Sequence, residues 1–197
     1  MSEDEIEGPL TKNRIEILMA AMIALLSICT ASTAYSSHME GSSSTHNYHT
    51  SDSILVTANS LYLEANQIII YDFNCYDSYY IAQEAGNDSV ADYYFDQMSL
   101  EAQDSIERDN GPFDDQYFDE MFDYASSTED EGLALADIAA QENTNSDEYQ
   151  LAVLISAVGL SLTGWAALIE SQKLKLTFVS CSAFALLISA IQALSVG

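Results

Sequence analysis

Positive charge is what this chain has least of. Five Lys and Arg stand against 31 Asp and Glu, a formal net charge of −26 over 197 residues. Such a surface repels nucleic-acid phosphates and anionic head groups alike, which excludes DNA or RNA as a partner. Cysteine is also scarce, at three. Cys29 and Cys181 fall in apolar runs, where a thiol packs as a small hydrophobe. Cys75 stands alone between those runs, so no disulfide can form there. Recognisable catalytic patterns are missing: there is no Ser-His-Asp arrangement, Gly-rich phosphate loop, CxxC or HExxH. A solvated acidic face accounts for the carboxylates without catalysis, so neither an enzyme nor a cofactor is expected. Strand patterning is equally thin. Ile68-Ile69-Ile70-Tyr71 is the one clear β-like run, and it sits inside a longer helical period. No repeat of about 20–50 residues is present.

Three stretches lack charge of either sign. Ile17–Tyr35, Leu151–Ile169 and Leu176–Val196 contain no Asp, Glu, Lys, Arg or His. Each suits a hydrocarbon core, which takes about 20 helical residues. The expected layout is a tail at 1–14, transmembrane helices at 15–35, 150–170 and 176–196, a turn at 171–175, and an acidic helical domain at 36–149. That domain holds 25 Asp and Glu and one basic residue, Arg108. Lys12 and Arg14 precede the first run, and Lys173 and Lys175 lie between the second and third. The positive-inside rule places both segments in the cytoplasm. The N-terminus is then cytoplasmic, and residues 36–149 and the C-terminus are extracytoplasmic. The first run exceeds the usual signal-peptide core of about 7–15 residues and reads as a signal anchor, although Ser32-Thr33-Ala34 resembles a cleavage site. Tyr35 and Tyr149 fall at the outer boundary, as an aromatic belt requires, and Trp165 suits the inner one.

Within the acidic domain, residues 36–51 read as a polar linker or a weak continuation of the first helix. Ile54, Ala58, Leu61, Ala65, Ile68, Cys75, Tyr79 and Ala82 follow alternating steps of four and three. That is a coiled-coil-like stripe, broken only by Asp72, and Gly86-Asn87 ends it. A second helix is expected from Ser89 to Arg108, then a turn at Asp109-Asn110-Gly111-Pro112 and a short aromatic helix from Phe113 to Tyr124. Thr128 with Glu131 fits a capping box for a last helix that runs into the second span. The fold class is all-α: three transmembrane helices with an acidic helical insert.

Candidate sites are weak and few. His46 and His49, three apart, could hold a metal only if helical and only with carboxylates or a second subunit. Asp109 and Asp114 flank a turn that fails the EF-hand spacing. The polar linker and a helix N-terminus that favours acids explain these residues more simply, so no metal site is assigned. Asn87-Asp88-Ser89 is a glycosylation sequon at an outward turn. Small residues repeat at four-residue spacing in the spans, as in Ala157/Ser161 and Gly159/Thr163, and permit close helix approach. Interface candidates are therefore Ile54, Leu61, Ile68, Tyr79, Ala157, Gly159 and Ser161. The twelve tyrosines all lie from Tyr35 to Tyr149 and are good interface material.

Tyr62-Leu63-Glu64-Ala65-Asn66, Asp92-Tyr93-Tyr94 and Ala140-Gln141-Glu142-Asn143 carry a resemblance. In layout the chain resembles a loose set of uncharacterised prokaryotic membrane proteins. These have one N-terminal span, a helical insert opening on a Tyr-x-x-Ala-Asn-like motif, and a C-terminal transmembrane hairpin. The resemblance implies the same topology and no activity; the chain departs from it by its acidity.

Acidity with almost no lysine suits a protein bathed in salt, where the Debye length falls to about 3 Å at 1 M. It points to a salt-adapted, archaeal source; the alternative is a field that holds cations or positions a basic partner. Inside the three uncharged runs the ionisable side chains are the thiols and the boundary Tyr35, which speaks against ion-coupled transport. The leading expectation is a structural or accessory protein of the cell membrane. It would sit in the lipid bilayer as a homo-oligomer or as a subunit of a larger complex. The alternative is an oligomeric passive cation channel or conductance modulator with an acidic vestibule.

Overall fold

A computed structural model describes residues 9–108 and 110–196, with side chains from Arg14 onward. Among the described residues the chain is helical with no strand: α1 Pro9–Glu84, α2 Asp88–Gln97, α3 Leu100–Glu107, α4 Asp115–Leu168 and α5 Gln172–Ser195. Helices α1, α4 and α5 are each long and apolar enough to cross a membrane, by length and composition. That is the pattern of a multi-pass membrane protein. By contacts the chain forms two compact units, one of residues up to His46 with Ile138 onward, the other Asn47–Asp137.

The first unit is apolar. Met19, Met22 and Leu26 of α1 pack with Ala166 of α4 and Val179 of α5. Its helices also meet through small hydroxyl residues. Ser37 Oγ donates to the Ser146 carbonyl at 3.0 Å, and Ser146 Oγ returns a bond to the Ser37 carbonyl at 2.9 Å. Seven residues on along α1, Ser44 Oγ donates to the Ala139 carbonyl at 2.7 Å, seven residues back along α4. Gly41 lies between, where an added Cβ would stand 3.2 Å from Ser146 Oγ. The α4–α5 pair repeats the device at a seven-residue step. Ser156 meets Ser189, and Thr163 meets Ser182. Ser189 and Ser182 also donate to the carbonyls of Ala152 and Gly159, both at 2.8 Å. A hydroxyl that reaches a neighbouring backbone carbonyl requires helices in near contact, which only small side chains permit.

The second unit is acidic outside and aromatic inside. Ile69, Cys75, Met98, Ala102 and Tyr117 form its buried centre, with Tyr76, Tyr79, Phe95, Ile106, Phe113, Phe118, Met121 and Phe122 around it. Ser51 Oγ donates to the Gly132 carbonyl at 2.7 Å, so small residues set the helix spacing here too. Helix α1 ends as the glycine signal predicts. Gly86 takes φ +68°, Gly86 N–H bonds the Gln83 carbonyl at 2.9 Å, and Asn87 N–H bonds the Ala82 carbonyl at 2.9 Å. This is a Schellman cap, which needs a residue free to adopt the left-handed region.

Three expectations about elements are corrected. Of the two readings of residues 36–51, the linker falls and the continuation of the first helix holds, because Ser37, Ser44 and Ser51 are buried against α4 with their hydroxyls bonded to it. The single helix expected from Ser89 to Arg108 is two, broken at Met98-Ser99. The capping box at Thr128 and Glu131 does not form. Helix α4 runs unbroken from Asp115, and Thr128 Oγ1 donates back to the Tyr124 carbonyl at 2.7 Å, as a mid-helix threonine does. The continuous passage of that helix into the second apolar run is as expected.

Candidate functional site

The break between α2 and α3 is the most constructed place in the acidic unit. Asp72, on α1, is fully buried. Its Oδ1 accepts from the Ser99 N–H at 2.8 Å and its Oδ2 from the Ser99 hydroxyl at 2.6 Å. The Tyr117 hydroxyl of α4 also donates to Oδ2, at 2.8 Å. Ser99 in turn caps α3, its Oγ accepting from Ala102 N–H at 3.1 Å. One carboxylate thus ties α1 to α3 and α4. Burial, then the Asp72 hydrogen bond, pushes the Tyr117 hydroxyl far above the ordinary tyrosine range. The residue that interrupts the seam in sequence is therefore its polar anchor. An acid at a seam position, followed by a Ser that can cap, was the readable signal; which Ser it reaches was not readable.

The α3–α4 turn is closed by the one basic residue nearby. Arg108 meets Asp114 through two hydrogen bonds, 2.9 Å from Nε and 2.7 Å from Nη2. Glu120 stands 3.7 Å from Nη1. Asp114 also caps α4, its Oδ1 accepting from Tyr117 N–H at 3.0 Å. The Arg108 bonds, aided by that N–H, hold the Asp114 carboxyl below the usual range. In the same turn Phe113 takes φ +58°, uncommon for a bulky residue. Its ring packs edge-on against Phe73, Tyr76 and Tyr117, with centroids 4.4, 5.4 and 5.1 Å away.

These bonds decide the metal candidates. Asp114 is engaged with Arg108, which leaves its carboxylate charge matched. Asp109 lies outside the described residues. His46 and His49 stand on exposed positions of α1. Among the described residues no group of three or more His, Cys, Asp or Glu is placed to hold a metal. Asn87 is exposed at the N-cap of α2, open to solvent as a sequon must be.

The interface candidates separate. Ile54, Leu61 and Tyr79 are half-buried within the acidic unit. Ile68 is 37% exposed and Ile69 takes the seam position at 6%, so the expected register slips by one residue there. In the apolar unit Gly159 is consumed internally: an added Cβ would meet Leu26 Cδ2 at 2.9 Å and Ala185 Cβ at 3.2 Å. Ala157 and Ser161 instead face outward. They lie in an open depression of about 490 Å³ walled by Leu154, Val158, Leu162, Trp165 and Phe178. The Ser161 hydroxyl donates to the Ala157 carbonyl at 2.9 Å, so this floor offers shape rather than hydrogen bonds. Comparison with protein-family models, with curated proteins and with solved structures finds no match.

Proposed function

We propose that the protein is a structural or accessory integral membrane component that assembles with itself or with other membrane subunits. The observation that carries this reading is the outward depression at Ala157 and Ser161. Of two small-residue pairs on α4, Gly159/Thr163 is spent on packing within the chain and Ala157/Ser161 is not. A small floor between large apolar walls is the shape that receives another helix in a bilayer. In this reading Lys173 and Lys175, which open α5, lie on the cytoplasmic side with Arg14, and the acidic unit lies outside.

A passive cation channel draws less support. It relies on the span hydroxyls, yet Thr33, Ser156, Thr163, Ser182 and Ser189 bond to helix carbonyls or to one another. The reading is tested by native mass spectrometry of the protein extracted from its own membranes at high salt. A fixed homo-oligomer, or co-purification at a fixed ratio with other subunits, supports it. A lone monomer overturns it.

A further inference from the structure

Asn87-Asp88-Ser89 is the one Asn-x-Ser/Thr triplet in the chain, and the fold puts it where such a triplet can be used. Asn87 stands between α1 and α2, at φ −103° and ψ 74°. Residues 83–90 are exposed without a break. At the neighbouring Gly86 an added Cβ would meet nothing within 4 Å. The Asn87 carbonyl accepts from Val90 N–H at 3.1 Å and Ala91 N–H at 3.0 Å, so its backbone starts α2. Its side chain makes no capping bond, although asparagine is among the preferred N-caps. Asn66 and Asn74 are exposed as well, but both spend Nδ2 on α1 carbonyls, of Tyr62 at 2.7 Å and Ile70 at 2.8 Å. Asn87 combines the triplet, the exposure and a carboxamide not committed to its helix.

We propose, resting on the reading that sets the acidic unit outside the membrane, that Asn87 carries an N-linked oligosaccharide. The donor class is an oligosaccharide joined through its C1 to a polyprenyl phosphate or pyrophosphate, and a membrane oligosaccharyltransferase brings donor and acceptor together. Asn87 Nδ2 attacks C1. The C1–N bond forms as the C1–O bond breaks, the lipid phosphate leaves with the electron pair, and Nδ2 gives one proton to a base of the transferase. The Ser89 hydroxyl, two residues on, is the other part of the triplet that the transferase reads. Residues 87–89 must leave the helix start to enter its cleft. That costs little here, because the first N–H groups of a helix have no intrahelical acceptor, so those of Asp88 and Ser89 give up no helical bond. A glycan is bulky and hydrated, and this turn has no packed neighbour for it to displace.

The test is mass spectrometry of the full protein taken from its own membranes and digested with chymotrypsin. Cleavage after Tyr80 and Tyr93 releases residues 81–93, which hold Asn87 and no other asparagine. That peptide is expected to carry the added mass of a sugar chain. Its occupancy should fall at least tenfold in Asn87→Gln and in Ser89→Ala, and should persist in Ser89→Thr. The side of the membrane is read separately. Glu84→Cys, exposed beside the turn, is expected to react with a membrane-impermeant maleimide on intact cells, with wild type as the blank. An unmodified peptide, or a sugar that survives Asn87→Gln, overturns the proposal. If Glu84→Cys labels on intact cells, the acidic unit is outside and the glycan alone falls. If it labels only after the cells are opened, the outside placement falls with it. In both cases the assembly reading keeps its own test, native mass spectrometry.

Discussion

A single buried carboxylate organises the acidic unit at the residue scale. Asp72 accepts three hydrogen bonds from Ser99 and Tyr117, and hydrogen bonds to charged groups contribute about 1.5–3 kcal/mol each. Tyr117→Phe should therefore destabilise the unit by about 1–3 kcal/mol in denaturant unfolding. Asp72→Asn should cost more, because an amide donor then faces donors. The Tyr117 shift carries its own sign. Its folded-state pKa is raised, so its contribution is complete below the ordinary tyrosine value of about 10 and is lost progressively above it. Wild type should lose stability more steeply than Tyr117→Phe when titrated upward from about pH 10. Asp114 works the other way. Its pKa is depressed by Arg108, so its contribution is present above about pH 4 and disappears as pH falls through its lower folded value. Arg108→Gln should flatten the acid limb of the stability profile while leaving its shape near neutrality unchanged.

Helices in both units are spaced by what their contact positions lack. Ser37, Ser44, Ser51, Gly132, Ala139 and Ser146 are small enough for hydroxyls to reach the facing backbone. Added bulk at these elements should act by position, not by residue type. Gly159→Leu would press on Leu26 and Ala185. Overpacking of this kind costs about 1–3 kcal/mol. At Gly164, five residues on and exposed, an added Cβ meets nothing within 4 Å, so Gly164→Leu should be neutral or mildly stabilising, since glycine is a poor helix former. Thermal unfolding of the two variants in detergent, followed by circular dichroism, distinguishes them. Equal losses would mean that the α1–α4–α5 packing described above is wrong.

At the scale of the whole molecule, charge dominates. A net −26 over 197 residues repels itself, and the Arg108 pair neutralises little of it. Raising salt from about 0.1 M to 1 M shortens the Debye length from about 10 Å to about 3 Å. The melting temperature should climb over that range and should not climb with an uncharged osmolyte at equal osmolality. A flat response to salt would leave the acidity as a feature for a partner instead of an adaptation to brine.

Periodicity and composition were enough to show an all-helical chain with three apolar runs. The runs announce themselves because a bilayer demands length and the absence of charge, both properties of consecutive residues. The end of α1 at Gly86 was equally plain, since a left-handed cap needs glycine locally. What depends on residues distant in sequence was not legible. Serine-rich 36–51 reads as linker or weak helix because serine favours loops on its own, and only the close approach of α4 decides for helix and turns it into a contact face. Asp72 looked like a fault in a hydrophobic stripe. It became an anchor once Ser99 and Tyr117, 27 and 45 residues away, were folded against it. Likewise, nothing in their spacing distinguishes Gly159 from Ala157. Tertiary packing spends one on Leu26 and leaves the other facing out, because a helix has many sides and only its neighbours decide which are covered.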